Sequence, residues 1–325
     1  MATVHPKATP PDPFEDLSGV STRDFDNPYD ALLSTSLNAT EVQRRYAIHR
    51  QTRNGQQRAK LLDPAFPGVT LDPVLLRLHD AAIEPGYVDP RHCLVFWARP
   101  PAKLRALIHE IQQKLLSVAP NLWLMPLNHL HMTTLEVTHS RTAAEIAALI
   151  KTMEPHIPQI TDYTQAHRAR LIKPMLSYDA AAVALSFEPA AGEGLARGRT
   201  AADDEFTYHH LRRDLFTQCQ QAGVKIDSRY TVPSAHLTIG RFVTADDHSR
   251  RDDGSNQHIP DREKMQQWIA AIENINRWLQ EQYWPHAQEM NHGAEWIVGE
   301  EKGLDCRHGT LWYGDGTTFR LGGGF

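Results

Sequence analysis

Cysteine is scarce in this chain of 325 residues: only Cys93, Cys219 and Cys306 occur, with no Cys-x-x-Cys pair. A disulfide framework and a cysteine zinc site are therefore not the basis of the fold. Long apolar runs are missing too, so no membrane-spanning segment is expected. The opening "MATVHPKATPPDPFEDLSG" lacks the apolar stretch of a secretory leader. A reducing compartment is expected, the cytoplasm first, with the nucleus also open. Positive charge is not in excess: 34 Lys and Arg against 39 Asp and Glu give a net charge of −5. Gripping long duplex nucleic acid by charge alone is not expected. Nor does "GEGLARG" (192–198) carry Gly-x-Gly-x-x-Gly, so it reads as a mobile loop rather than a dinucleotide cradle. "NAT" at Asn38 has the form of a glycosylation sequon, which reads as incidental without a leader.

What is present suffices for a real core, with 41% hydrophobic residues. Residues 1–25, rich in Pro, Asp and Thr, are expected to be disordered. Residues 26–90 read as a helical extension packed on the core, and residues 91–325 as the functional domain. "HCLVFWAR" (92–99) is a strand stopped by Pro100 and Pro101. Leu104, Leu107, Ile111 and Leu115 then recur at helical spacing. "LWLMPLNHLHMTTLEV" is strand-like, and "TAAEIAALIKTME" (142–154) is a helix. The order repeats: strand 181–187, helix 208–223 ending on a glycine suited to a C-cap, strand 230–242, then a long helix with Asp261 as its N-cap. "EWIVGEE" and "GTLWYG" are expected to form a closing hairpin. Without strict βαβ alternation, this favours an α+β, two-lobed fold. The basic clusters Arg168, Arg170 and Lys173, Arg197 and Arg199, and Arg212 and Arg213 read as solvated faces.

Two short stretches carry the chemistry. "HMTT" (131–134) and "HLTI" (236–239) each place His-x-Thr in a strand-like run. Alternate strand residues share a face, so His131 joins Thr133 and His236 joins Thr238. Two such strands side by side would present two imidazoles and two hydroxyls to one cleft. One imidazole can take a proton from water, the other can protonate a leaving oxygen, and the hydroxyls can hold phosphate oxygens. With 18 histidines about one His-x-Thr is expected by chance. The chain has a third, His308 and Thr310 in "HGTL", which reads as an edge-strand polar pair at the closing hairpin. The rival reading makes His129 and His131 metal ligands on one strand face. "HAQEMNH" (286–292) offers further donors, but without the His-Glu-x-x-His spacing. A protein that binds a nucleotide without turning it over is a third alternative.

"PLNHLHMTTLEV", "VPSAHLTIGRF" and the opening "CLVFWARPP" resemble the 2H phosphoesterase superfamily, and the order and separation of the motifs resemble its fungal members. The likeness covers roughly residues 90–315. It implies a pseudo-symmetric fold, antiparallel sheets around a central cleft with helices outside, and a metal-free site of His131, Thr133, His236 and Thr238. It implies no cofactor. The activity implied is opening of 2′,3′-cyclic phosphates on nucleotides or RNA ends, with hydrolysis of another small cyclic phosphate and RNA 3′-end trimming by transesterification as runners-up, and a monomer is expected. His236 is assigned as base and His131 as acid by resemblance alone. Arg241 falls where some members carry a phosphate-binding arginine. Trp312 and Tyr313 read first as core or edge packing, with stacking on a base as the alternative and Tyr313 as its candidate contact. One departure is Thr134, which stands where the family has a hydrophobic residue, with Leu135 one place later.

Overall fold

The structure, a computed structural model, describes residues 15–22, 24–251, 258–286 and 292–325. Three helices precede the first strand: α1 (Asp30–Ser34), α2 (Ala39–Leu62) and α3 (Pro73–His79). Next come β1 (His92–Ala98), α4 (Ala102–Leu116), β2 (Leu122–Leu124), β3 (Met132–Arg141), α5 (Ala143–Met153) and α6 (Ile157–Thr161). A hairpin of β4 (Arg170–Tyr178) and β5 (Ala182–Pro189) leads to α7 (Tyr208–Gln221) and β6 (Ala235–Phe242). The ribbon β7 (Ser249–Arg251) and β8 (His258–Pro260) precedes α8 (Arg262–Tyr283), and the chain ends with β9 (Trp296–Ile297), β10 (Lys302–Gly309) and β11 (Thr317–Gly323). The fold is α+β, and every described strand pair is antiparallel.

Local chemistry sets these boundaries. Asn38 Oδ1 accepts from the Glu41 amide at 3.0 Å, so the sequon-like triplet serves as the N-cap of α2. Thr142 and Glu145 cap α5 reciprocally, and Asp261 accepts from the first amides of α8. In α8, Met265, Trp268, Ile272, Ile275 and Leu279 are all buried, as their spacing predicts. Gly223, at φ +84°, ends α7 in the left-handed region.

The strands sort into two main sheets, ordered β11-β10-β1-β3 and β2-β6-β5-β4-β9. The halves of the chain do not each build one sheet. β2, from the first half, pairs with β6, and the C-terminal β10 returns to pair with β1, with β11 on its outer side. The single strand-like run "LWLMPLNHLHMTTLEV" is thus two strands in different sheets. Pro126 starts the turn between them, closed by the His129 amide on the Pro126 carbonyl at 2.8 Å.

Other expectations are corrected. "EWIVGEE" and "GTLWYG" make no hairpin: β9 joins β4, and the C-terminal hairpin is β10 with β11. Of the N-terminal residues expected to be disordered, 1–14 and 23 lie outside the described residues, but the segment from Glu15 docks on α2. The Leu17 amide donates to His49 Nδ1 at 3.1 Å, and Arg45 donates to the Ser18 carbonyl at 2.9 Å. Two members of the basic clusters are interior. Arg170 pairs with Asp204 and Glu295, and also donates to the Glu193 and Gly194 carbonyls, which anchors the loop read as mobile. Arg212 is 1% exposed. Charge runs mark solvated faces only when no interior acceptor set awaits them.

Candidate active site

The cleft is built where β3 and β6 approach each other. On β6, Ala235, Leu237 and Ile239 are buried in the main core, while His236 and Thr238 turn to the cleft. Their cross-strand partners on β5 are small: Ser186 faces His236, Ala184 faces Thr238 and Ala182 faces Arg241. Strict alternation would send Arg241 to the other face. A register shift between Val183 and Ala184 inserts one residue on the β6 side, and Arg241 lines the same cleft.

β3 uses the same device. Thr133 pairs with Trp97 but Leu135 pairs with Phe96, so Thr134 is the extra residue of a bulge. That accounts for the unexpected threonine. Thr134 is 0% exposed and its Oγ1 has no partner among the described residues, while Leu135 takes the core position one place later. The bulge also turns Glu136 into the cleft beside Thr133. The floor between them is Cys93, Val95 and Trp97 of β1, which form a small cluster with Leu311 separate from the main core.

The imidazoles are held differently. His131, at the entrance of β3, stacks on Trp97 with ring centroids 3.7 Å apart. Its Nδ1 faces the His129 carbonyl at 2.8 Å. A carbonyl only accepts, so Nδ1 carries the proton and Nε2 is the exchanging atom. His236 Nδ1 meets Ser234 Oγ at 2.9 Å, a partner that can donate or accept. Burial pushes the His131 pKa down to about 3; the carbonyl bond opposes this, and the Arg99 and Arg307 charges add to it. Burial, then the Arg53 and Arg212 charges, hold His236 down to about 4. Both rings are therefore neutral at pH 7.

Arginines surround the pair. Glu136 binds Arg229 with both oxygens, at 2.6 and 3.2 Å, and so holds that guanidinium on the cleft wall 4.4 Å from the Trp312 ring. Behind the wall, Arg212 donates to the carbonyls of Thr134, Val232 and Tyr230 and to the Tyr29 hydroxyl. It thereby ties the β3 bulge to the loop that leads into β6. No carboxylate pairs with it among the described residues, so its charge adds to the field at the cleft.

The structure thus brings His131, Thr133, His236, Thr238 and Arg241 to one narrow cleft with a cavity volume of about 70 Å³. Tyr313 is not on its wall. The ring is 9% exposed, with the hydroxyl donating to Asp72 at 2.7 Å, and the neighbouring Trp312 lines the cleft instead. His129 contributes its carbonyl rather than its ring. Gly314, at φ +84°, packs against it: an added Cβ would lie 2.7 Å from that carbonyl oxygen. His308 lies on β10, which is an inner strand rather than an edge. It pairs with Leu94, whose side chain enters the main core, so its side chain lies on the face opposite Cys93, Val95 and Trp97. Residues 287–291 of "HAQEMNH" lie outside the described residues. Among the described residues no group of three or more His, Cys, Asp or Glu is placed to hold a metal. Also among them, no helix is long and apolar enough to cross a membrane.

Sequence reading missed Glu136, Arg229 and the cleft-facing side of α2. Glu136 was hidden by the bulge, and Arg229 has no motif. Tyr46, His49, Arg50 and Arg53 did leave a signal, since they recur at i, i+3, i+4 and i+7 on one helical face. No family model matches the chain, and no curated protein matches it.

Proposed function

We propose that this protein is a metal-independent phosphodiesterase of the 2H type, a two-lobed, pseudo-symmetric enzyme that opens 2′,3′-cyclic phosphates on nucleotides or RNA ends. The observation that carries this reading is the meeting of two His–Thr pairs, from strands of two different sheets, in one small cleft. Binding alone needs no such pair of proton carriers. Water attacks phosphorus while His236 takes its proton. The bond from phosphorus to one ribose oxygen breaks, and His131 Nε2 protonates that oxygen, leaving a phosphomonoester. Thr133 and Thr238 hold the non-bridging oxygens, with the Arg241 and Arg229 guanidiniums at the two sides of the growing charge.

The neutral resting state of both rings makes the substrate part of the acid–base design. An anionic phosphate between them raises both pKa values, so the acid gains its proton as substrate binds. The His131 carbonyl bond stabilises that imidazolium, which supports His131 as the acid. The cleft is cytoplasmic or nuclear in this reading, and the partner is a nucleotide or RNA end rather than a duplex. Turnover of the four nucleoside 2′,3′-cyclic phosphates in excess EDTA tests the proposal, with phosphomonoester as the only product. Activity lost on chelation and restored by zinc or manganese favours the metal rival. Binding of the same nucleotides with no product favours the binding-protein rival.

A further inference from the structure

The narrow cleft opens, past His236, Thr238 and Arg241, into a larger chamber of about 220 Å³. One wall is the small-residue face of β5. The opposite wall is α2, which presents Tyr46, His49, Arg50 and Arg53. The extension before the first strand is therefore part of the site rather than only a support. Three arginines line the chamber, Arg50, Arg53 and Arg241, against one lining carboxylate, Asp179. Arg50 is matched from behind by Glu188 at 2.5 Å. Arg53 lies 3.3 Å from Asp179, and Arg241 lies 3.9 Å from Asp72. Asp179 is itself fixed by the amides of Ala181 and Ala182, so it aims the Arg53 guanidinium.

Two of these guanidiniums carry a second mark. Arg241 Nε and Arg50 Nε are buried with no acceptor among the described residues. A buried N–H without an acceptor is costly, and natural interiors rarely leave one except where function uses it. Both lie on the wall of one chamber that continues directly from the phosphate position. The Arg53 charge reaches His236 as well, after burial the largest influence that keeps this ring neutral.

We propose that this chamber is a second anion subsite: Arg53 of α2, with Arg241, receives a further phosphate of the same substrate, beyond the one that reacts. This rests on the function proposed above and narrows its substrate class to cyclic phosphates that carry another phosphate on the ribose 5′ side. That group is a terminal 5′-phosphate or the next phosphodiester of an RNA end. The chemistry recognised is the same in both, a phosphate whose non-bridging oxygens accept from a guanidinium.

The test compares adenosine 2′,3′-cyclic phosphate, its 5′-phosphorylated form, and a dinucleotide ending in the same cyclic phosphate. The 5′-phosphate is expected to raise kcat/KM on the order of tenfold, and Arg53→Gln is expected to bring that ratio to about one. A gain with the dinucleotide alone assigns the subsite to an RNA chain. A ratio near one in the wild type for both phosphorylated substrates, or a ratio that survives in Arg53→Gln, overturns the proposal. A binding arm separates this from failure of the reaction assignment. Calorimetry with adenosine 3′,5′-bisphosphate and adenosine 3′-monophosphate should show the bisphosphate tighter on the order of tenfold, with the difference lost in Arg53→Gln. If no cyclic phosphate is turned over, the function proposed above fails, and equal binding of the two ligands then overturns the subsite.

Discussion

The chain entering β3 reads "HMTTLE" from His131 to Glu136, and β6 reads "HLTIGR" from His236 to Arg241. Both present His and Thr to the cleft, and both then bulge, so that the third residue after the threonine joins the same face. The two strands part company at that residue. β6 places its own guanidinium there, Arg241. β3 places a carboxylate, which captures Arg229 from the loop before β6. Either way a guanidinium ends beside the threonine. The imidazoles differ in a parallel manner, His131 with a fixed acceptor and His236 with a hydroxyl. The same backbone device thus serves two side-chain solutions, and the difference supports distinct roles for the two halves.

The largest effects are expected at the two rings. His236→Ala and His131→Ala should each lower kcat on the order of 10²–10⁴-fold in a folded protein, and the double variant little further. Arg212→Met tests the buried tie between the strands. It removes a buried donor that serves four acceptors, of which the Tyr230 carbonyl keeps the Tyr29 hydroxyl and the Val232 carbonyl keeps the Ser234 amide, and a loss of more than about 2 kcal/mol in urea unfolding is expected. Both motif strands depend on that tie, so activity should fall as well. Thr133→Ala and Thr238→Ala should each cost on the order of tenfold, the worth of one hydrogen bond to a charged oxygen. Equal losses would say that the two halves grip phosphate alike, and unequal ones would sharpen the comparison. The smallest effect is expected at the third His-x-Thr. His308→Ala should keep turnover within roughly tenfold, because its side chain lies on the opposite face of the sheet. A loss equal to that of His236→Ala in a folded protein would replace one member of the pair.

Part of this site is legible in the sequence alone. Alternation holds over three residues, so His131 with Thr133 and His236 with Thr238 could be assigned to shared faces. It fails at the fourth, where a bulge adds a residue, and a bulge leaves no mark in composition. Thr134 was the only hint, a polar residue at a core position. Alternation alone would put Glu136 on the face opposite Thr133. The strand run containing Pro126 hid a change of sheet, since periodicity reports local conformation and not the pairing partner. Arg170 and Arg212 looked like surface charge because their acceptors are carbonyls and carboxylates distant in sequence. The stripe of Tyr46, His49, Arg50 and Arg53 was visible at helical spacing, but a polar helical face normally meets solvent. Only the packing of α2 against β5 turns it toward the cleft.

The central claim is that one ring works as base and the other as acid on a single phosphate. The pH dependence of kcat/KM tests it most directly. The base must be neutral, so the rate rises with pH through its pKa, and the acid must be protonated, so the rate falls through its own. Burial depresses His131 to about 3 and His236 to about 4, so the wild-type bell should peak well below the ordinary imidazole value of about 6.5. The kcat profile should peak at higher pH, because bound phosphate raises both values. His236→Ala should lose the rising limb and keep the falling one, and His131→Ala should do the reverse. A profile in which either variant retains both limbs would contradict the account.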